Sequence, residues 1–555
     1  MSDNAQMARV VTNFAILPNF RGKVNTAVVD KQGKNVVYWG KVLTEGEYPM
    51  KRASGIILPI SSLPSAYGIG TFGKAAYRFA DFLHEAGQKY WQMLPLGPTS
   101  FGDSPYQSFS TFAGNPYFID PELLMEDGLL TRQEAEACQW GTEPRYVDYG
   151  KQYESRYVVL QKAKERGWER DSAEVAAFAA ENERWLREYA LFMACKRHFG
   201  MKSWLEWPDE KLRLRDAEIL EKYREMLRED VEFFTYVQFL FYKQWEKLRA
   251  YVHDLGIEII GDVPIYVAMD SADVWSEPEF FQLDEKGYPT DVSGVPPDYF
   301  TADGQLWGNP LYDWDAMKRD GYGWWIRRID GAGKLYDAIR IDHFRGLDEY
   351  WAVPYGEETA RNGEWRKGPG MELIRVLSGW FPQIRFIAED LGILSPGVEE
   401  LLAESGWPGM KVLQFAFDGD AANSYLPHNY GSSRCICYTG THDNATLLGW
   451  REEEQAETVS FAEEYLGLNE DEGFVWGMIR GGMSSVAELF MTTMQDYLEL
   501  GKYHRMNTPG VAVGNWQWRL LPGEADEKLA ARIRCMTERY GRCENKQENE
   551  KAEQV

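Results

Sequence analysis

Short apolar runs, many built from β-branched residues, recur along this chain at intervals of several tens of residues. Gly55–Leu58, Tyr90–Leu94, Ile257–Asp262, Tyr336–Asp342, Ile384–Glu389, Lys411–Phe417 and Ile436–Thr439 each read as a short strand. Their spacing is that of the strands of a barrel. An eighth run is faint; Arg505–Pro509 is its candidate. Between the second and third runs the pattern changes. The stretch from about 120 to 250 is rich in Glu, Lys, Arg, Leu and aromatics, and lacks Gly and Pro clusters from about 150 on. That composition predicts an inserted, mainly helical subdomain. The order implies an α/β chain, a (β/α)₈ TIM barrel with inserted helical subdomains over residues 51–540.

The ends look different. Residues 1–50 stand apart, and Thr26–Trp39 reads as two strands around a Gly-containing turn. The segment is too short to hold a core alone and is expected to pack on the main body, with no role assigned. Residues 541–555 form a polar tail.

Composition narrows the chemistry. The chain carries 60 basic and 86 acidic residues, a formal net charge of −26. Such a charge repels nucleic acid and anionic membrane, so neither is an expected partner, whereas a neutral polyol is compatible with it. Aromatics reach 14%, with 21 Trp and 31 Tyr, which suits sugar stacking as well as a large core. Six scattered cysteines show no zinc spacing; Cys435 and Cys437 share one strand face and read as packing. Reduced thiols, no basic-then-apolar start and no long apolar stretch give a cytoplasmic expectation.

Three of the strand-like runs stop on a carboxylate or lead straight into one: Asp342, Glu389 and, after Tyr438-Thr-Gly-Thr-His, Asp443. The C-terminal ends of barrel strands are where such a fold keeps its catalytic groups. Two carboxylates with a third in support form the toolkit for breaking a glycosidic bond. Arg340 lies two residues before Asp342, so on a strand both point to one face, and the guanidinium favours an ionised, nucleophilic carboxylate. Glu389 closes the apolar Phe386-Ile-Ala, where burial favours the protonated form that a general acid needs. Asp390 follows on the opposite face; chemistry alone does not choose between it and Glu389.

The words around these acids carry a resemblance. Ala338-Ile-Arg-Ile-Asp-His-Phe-Arg-Gly346, Thr441-His-Asp-Asn444, Ser104-Pro-Tyr-Gln-Ser-Phe109, Gly294-Val-Pro-Pro-Asp-Tyr-Phe300, Gly304-Gln-Leu-Trp-Gly-Asn-Pro310, Gly261-Asp-Val-Pro-Ile-Tyr-Val267 and Arg505-Met-Asn-Thr-Pro-Gly510 are similar to segments of the 4-α-glucanotransferases. That family, also called amylomaltases or disproportionating enzymes, is glycoside hydrolase family 77. The likeness runs from about Ser54 to near Trp518. Ala445 departs from it, standing where an Asp usually follows Thr-His-Asp-Asn. The resemblance implies Asp342 as nucleophile, Glu389 as acid/base and Asp443 as transition-state support, on strands four, five and seven. It implies substrate contacts from Arg340, His343, His442 and Tyr106, the last in an acceptor cleft. A loop at about 290–312, hanging over the site, would add Asp298, Tyr299, Gln305, Trp307 and Asn309, with Phe300 as another flat ring. Asp262 and Asn507 are weaker candidates for substrate contact, and Asp390 is left a supporting role. The substrates implied are α-1,4-glucans, both as donor and as acceptor, with no cofactor and no metal. An α-glucan hydrolase of the same clan and a non-catalytic glucan-binding barrel are the alternative readings. Neither oligomeric state nor preferred glucan length is legible.

Overall fold

The structure, a computed structural model, describes residues 52–100, 102–297, 302–392, 394–511 and 513–543, and two short strands before them. Those two, Ala27–Val29 and Asn35–Val37, pair antiparallel with Ala27 opposite Val37. The rest of 1–50 and the tail from 544 lie outside the described residues.

Eight parallel strands form one sheet: β1 (Ala53–Ile57), β2 (Tyr90–Gln92), β3 (Glu258–Val263), β4 (Ala338–Ile341), β5 (Arg385–Ala388), β6 (Gly409–Val412), β7 (Cys435–Tyr438) and β8 (Leu489–Thr493). Their order is β5-β4-β3-β2-β1-β8-β7-β6. The seam between β5 and β6 carries no ladder, but Ala388 N donates to the Pro408 carbonyl at 2.9 Å across it. The result is a (β/α)₈ barrel with helices around it. Six strands lie on the apolar runs read from the sequence, and β6 begins earlier than its run Lys411–Phe417, most of which is the turn Leu413–Phe415. The eighth does not lie near Arg505–Pro509: it is Leu489–Thr493, buried throughout, and 505–509 is a loop beyond it.

Side chains alternate along each strand. Ala53, Ile57, Tyr90, Ile260, Ala338, Ile387, Met410, Val412, Ile436, Tyr438, Leu489 and Met491 fill the barrel interior as a core of their own. The residues between them, such as Ile56, Trp91, Ile259 and Ile339, join the larger core under the helices. Both faces are therefore apolar. Toward the C-terminal end the interior turns polar, with Asp262, Arg340 and Asp342, while at the other end Arg385 pairs with Glu258 at 2.8 Å.

Between β2 and β3 the chain forms the helices Tyr149–Gly167, Ser172–Glu181, Glu183–His198 and the long Arg228–Asp254. Arg228–Asp254 delivers the chain into β3 and presents Phe233, Val237, Leu240, Phe241 and Trp245 to the core. Lys196, buried near the end of Glu183–His198, donates to the Met201 and Lys202 carbonyls and to Asp270, tying this layer to the segment after β3. Arg328, also buried, braces the same segment through the Pro264 and Ile265 carbonyls, the latter at 2.9 Å. Both cations are satisfied by several acceptors, the condition for tolerating a buried charge.

The segment 290–312 is not a plain loop. Asp291–Val295 and Gln305–Pro310 are antiparallel strands of a four-stranded sheet that continues through Glu349–Pro354 to Glu364–Lys367. Cys138, Cys195, Cys435, Cys437 and Cys535 are free thiols, with Cys435 and Cys437 buried. No helix among the described residues is long and apolar enough to cross a membrane.

Candidate active site

Strand β4 reads Ala-Ile-Arg-Ile, with Ala338 and Arg340 pointing inward. Its ladder is prolonged by Asp342 N, which donates to the Val263 carbonyl at 3.0 Å. His343 then takes a left-handed conformation (φ 48°, ψ 55°), stopping the strand and swinging the chain into the short turn Phe344–Leu347. Asp342 is thereby left at the rim, its side chain 29% exposed, while Arg340 below it is 3% exposed. Arg340 Nη1 donates to Asp342 Oδ1 at 2.8 Å, the pairing expected from their spacing. It donates also to both oxygens of Asp262, at 2.8 and 2.7 Å. Burial works against the guanidinium charge, but Asp262 and Asp342 outweigh it and hold the Arg340 pKa well above its ordinary value.

Asp262 is thus a correction. Its side chain has no exposed surface, lying under Arg340 and the Tyr106 hydroxyl, so it supports the site from beneath and cannot meet a sugar. Lack of water raises its carboxyl against the pull of Arg340.

Glu389 sits one residue past β5, on the same inward face as Ile387. Its backbone continues the ladder, Glu389 N donating to the Ile341 carbonyl at 3.1 Å. Its carboxylate is gripped by main-chain amides: His343 N donates to Oε2 at 2.7 Å and Leu391 N to Oε1 at 2.9 Å. The left-handed turn at His343 is what aims that amide at Glu389. Loss of water is the largest influence on this carboxyl; Arg340 opposes it and Asp342 adds to it, and the result is pushed up to about 7. Asp390 points the other way, out of the barrel, and accepts from Met410 N at 2.6 Å. It stitches β5 to β6 and is not a substrate contact.

The third acid comes from the loop after β7. Asn507 Nδ2 donates to Asp443 Oδ1 at 2.6 Å, and His442 Nε2 lies 3.3 Å from Oδ2. Arg505 Nη2 holds the Asp443 carbonyl at 3.0 Å. Loss of water alone would raise this carboxyl, but His442 and then Asn507 more than reverse it, leaving it well below the usual carboxylate range. Asp443 is nonetheless 43% exposed at its side chain, open to the mouth. Asn507, half-buried, spends one amide proton on Asp443.

Tyr106 joins the halves. Its hydroxyl donates to Asp262 Oδ2 at 2.7 Å and lies 2.8 Å from His442 Nε2. A phenol has one proton, so with that proton on Asp262 the oxygen accepts from His442 Nε2–H. The two rings stack, with centroids 5.2 Å apart. Burial disfavours the His442 charge, but the Asp443 carboxylate prevails and its pKa is raised. His343 goes the other way: loss of water pushes it down to about 4, so its ring is neutral at neutral pH. Trp307, on the small sheet, meets the His343 ring edge to face at 4.8 Å, and its Nε1 donates to Gln305 Oε1 at 3.2 Å. That contact brings the sheet over the barrel mouth.

Asn309 is a further correction. It is buried, with Nδ2 on the Val267 carbonyl at 2.9 Å and Oδ1 3.3 Å from Ser293 Oγ, so it locks the small sheet to the segment after β3. Asp298, Tyr299 and Phe300 lie outside the described residues. Two contributors have no role assigned from the sequence: Arg505, within a segment that carries the resemblance, and Trp516, whose ring centroid lies 5.7 Å from Tyr106 and 5.9 Å from His442. One Trp among 21 carries no signal by which it could be picked out. No group of three or more His, Cys, Asp or Glu that could hold a metal ion occurs among the described residues.

Comparison with known proteins gives the family and agrees with the fold. A family profile described as 4-alpha-glucanotransferase matches residues 58–524. A 4-alpha-glucanotransferase of Clostridium butyricum is 49% identical over 491 residues, covering 87% of this chain and all of that protein. One from Thermus thermophilus is 48% identical over 500 residues, 88% of this chain and 99% of the relative. Among solved structures, an amylomaltase from Streptococcus agalactiae in complex with acarbose superposes with a TM-score of 0.87 at 43% identity. It covers 89% of this chain and 100% of its own.

Proposed function

The chain belongs to the 4-alpha-glucanotransferase family, and from that membership we propose that Asp342, Glu389 and Asp443 carry out a retaining transfer of α-1,4-glucan segments. Asp342 attacks the anomeric carbon of the donor while Glu389 gives its proton to the departing 4-oxygen. The glycosidic bond breaks as the Asp342 ester forms, and the shortened glucan leaves with that proton. Glu389, now ionised, takes the proton from the 4-hydroxyl of an acceptor glucan or glucose. The acceptor oxygen displaces Asp342, and the configuration is retained. Asp443, ionised and facing the mouth, meets the sugar hydroxyls and the positive charge that grows on the ring.

One observation carries this reading: two neighbouring carboxyls live in opposed surroundings. Asp342 takes a 2.8 Å hydrogen bond from a guanidinium, whereas Glu389 sits among amides and apolar neighbours with its carboxyl near 7. Such a split is how one site runs nucleophilic and acid chemistry together. Transfer rather than hydrolysis requires that a sugar outcompete water, and the small sheet with Trp307 at the mouth suits stacking of an acceptor ring. The chemistry is tested with Glu389→Gln and α-glucosyl fluoride. Fluoride leaves without a proton, so the variant should load and trap the sugar on the peptide holding Asp342. No adduct on that peptide would refute the pairing. Incubation with maltotriose separates transfer, which yields glucose with longer oligomers, from hydrolysis, which yields only shorter ones.

A further inference from the structure

Asp443 does not stand on a strand or a helix. It is carried by the stretch between β7 and the helix Leu447–Glu453, where Thr439 N still prolongs the ladder by donating to the Met491 carbonyl at 3.2 Å. Both ends are held by one side chain from the next strand's turn. Asp496, in the short helix Met494–Tyr497 after β8, accepts from Thr439 Oγ1 at 2.9 Å with Oδ2. With Oδ1 it accepts from Leu447 N at 2.8 Å. Thr492 Oγ1 completes the cluster 2.7 Å from Thr439 Oγ1. Asp496 is itself fixed by its own amide, which donates to Thr493 Oγ1 at 3.2 Å.

Between these anchors the stretch is tied internally. Asp443 N donates to Thr441 Oγ1, and Thr441 donates through N and Oγ1 to Asn444 Oδ1. Gln414, from the turn after β6, donates to the Ala445 carbonyl at 2.8 Å. Asn507 and Arg505 hold Asp443 from the side, and the ends set where the stretch enters and leaves the site.

A carboxylate 1% exposed is costly without good partners. Burial pushes Asp496 up to about 6, with the Leu447 amide and the threonine hydroxyls pulling back. Apolar packing at this position needs no acid. What an acid alone adds is two acceptors on one rigid fork, and here they receive the first and last donors of the stretch that bears the third catalytic carboxylate. Asp496 is too deeply buried to touch a glucan.

We propose that Asp496 is a positioning residue for the transfer reaction: by holding Thr439 and Leu447 together it sets where Asp443 meets the sugar. This rests on the role given to Asp443 above. The test uses the full chain with α-glucosyl fluoride as donor and maltose as acceptor. Asp496→Ala should lower kcat about 10²-fold, the scale of a misplaced catalytic group. Thr439→Val, which keeps shape but deletes one donor, should lower it about tenfold, the worth of one hydrogen bond to a charged group. KM should change by less than about twofold, and Thr439→Ser should recover most of the loss. Both losses should shrink to about threefold or less in an Asp443→Asn background, where the group being positioned is already disabled. Equal losses in both backgrounds would overturn the inference, since a general fold defect lowers both alike. So would a wild-type rate in Thr439→Val. If Asp443→Asn alone kept the wild-type rate, the role of Asp443 itself would be what fails.

Discussion

If Glu389 is the acid of the proposed mechanism, it hands over a proton in the first half-reaction, and kcat/KM for a natural donor follows the fraction of free enzyme in which it is protonated. Its carboxyl is pushed to about 7, from an ordinary 4.5, first by loss of water and further by Asp342, with Arg340 and two amides opposing. About one-tenth of the sites then keep the proton at pH 8 and about one-hundredth at pH 9. With maltotriose, kcat/KM should break near pH 7 and fall about tenfold per unit beyond. With α-glucosyl fluoride the loading step should cross the same range without that break. The shift has a second consequence. The folded protein binds this proton more tightly than the unfolded chain does, so the associated stability is complete below pH 4.5 and is lost as pH rises through 7. At 1.36 kcal/mol per pKa unit the loss amounts to at most about 3 kcal/mol. For a chain of this length that corresponds to about 3 °C in thermal midpoint. Glu389→Gln cannot titrate, so its midpoint should gain on the wild type by up to that amount between pH 4.5 and 8. Parallel pH–rate profiles for both donors, together with a pH-independent stability difference, would refute the assignment.

Other substitutions probe the neighbours. Asp342→Asn should cost at least ~10³-fold in transfer with the fold retained by circular dichroism, the scale of losing a covalent nucleophile. Tyr106→Phe removes the hydroxyl between Asp262 and His442, and kcat/KM should fall about five- to thirtyfold, one or two hydrogen bonds' worth; an unchanged rate would leave that bridge without function. Trp307→Ala, and by the sequence resemblance Tyr299→Ala, should lower the ratio of glucose transfer to reducing-end formation about five- to thirtyfold while cleavage persists, since an aromatic contact is worth about 1–2 kcal/mol. Unchanged ratios in both would move acceptor selection toward Tyr106.

The sequence by itself determined the layout of the barrel and the address of its acids. Apolar runs at barrel spacing specify the strands, and a carboxylate ending such a run falls toward the C-terminal end of the barrel, at the rim for Asp342 and beneath it for Asp262. The pairing of Arg340 with Asp342 follows from spacing alone, since a two-residue step along a strand keeps the same face. What the runs could not identify was β8. Leu489–Thr493 is a short apolar stretch following a helix, and periodicity alone does not separate a buried strand from a buried helix turn at that length. Partner choice was decided only by tertiary structure. Asp262 and Arg340 are 78 positions apart, Asp443 and Asn507 are 64 apart, and Asp496 reaches Thr439 over 57. Each polar residue in a matching segment looks equally fit to bind a hydroxyl. Burial separates them: Asp262, Asp390 and Asn309 are closed off and spend their hydrogen bonds on protein, while Asp342 and Asp443 keep exposed oxygens. A sequence states which donors and acceptors a chain owns. Which of them face one another, and which are left for a substrate, follows from how the barrel closes, because the cost of an unpaired buried polar group is assessed only in three dimensions.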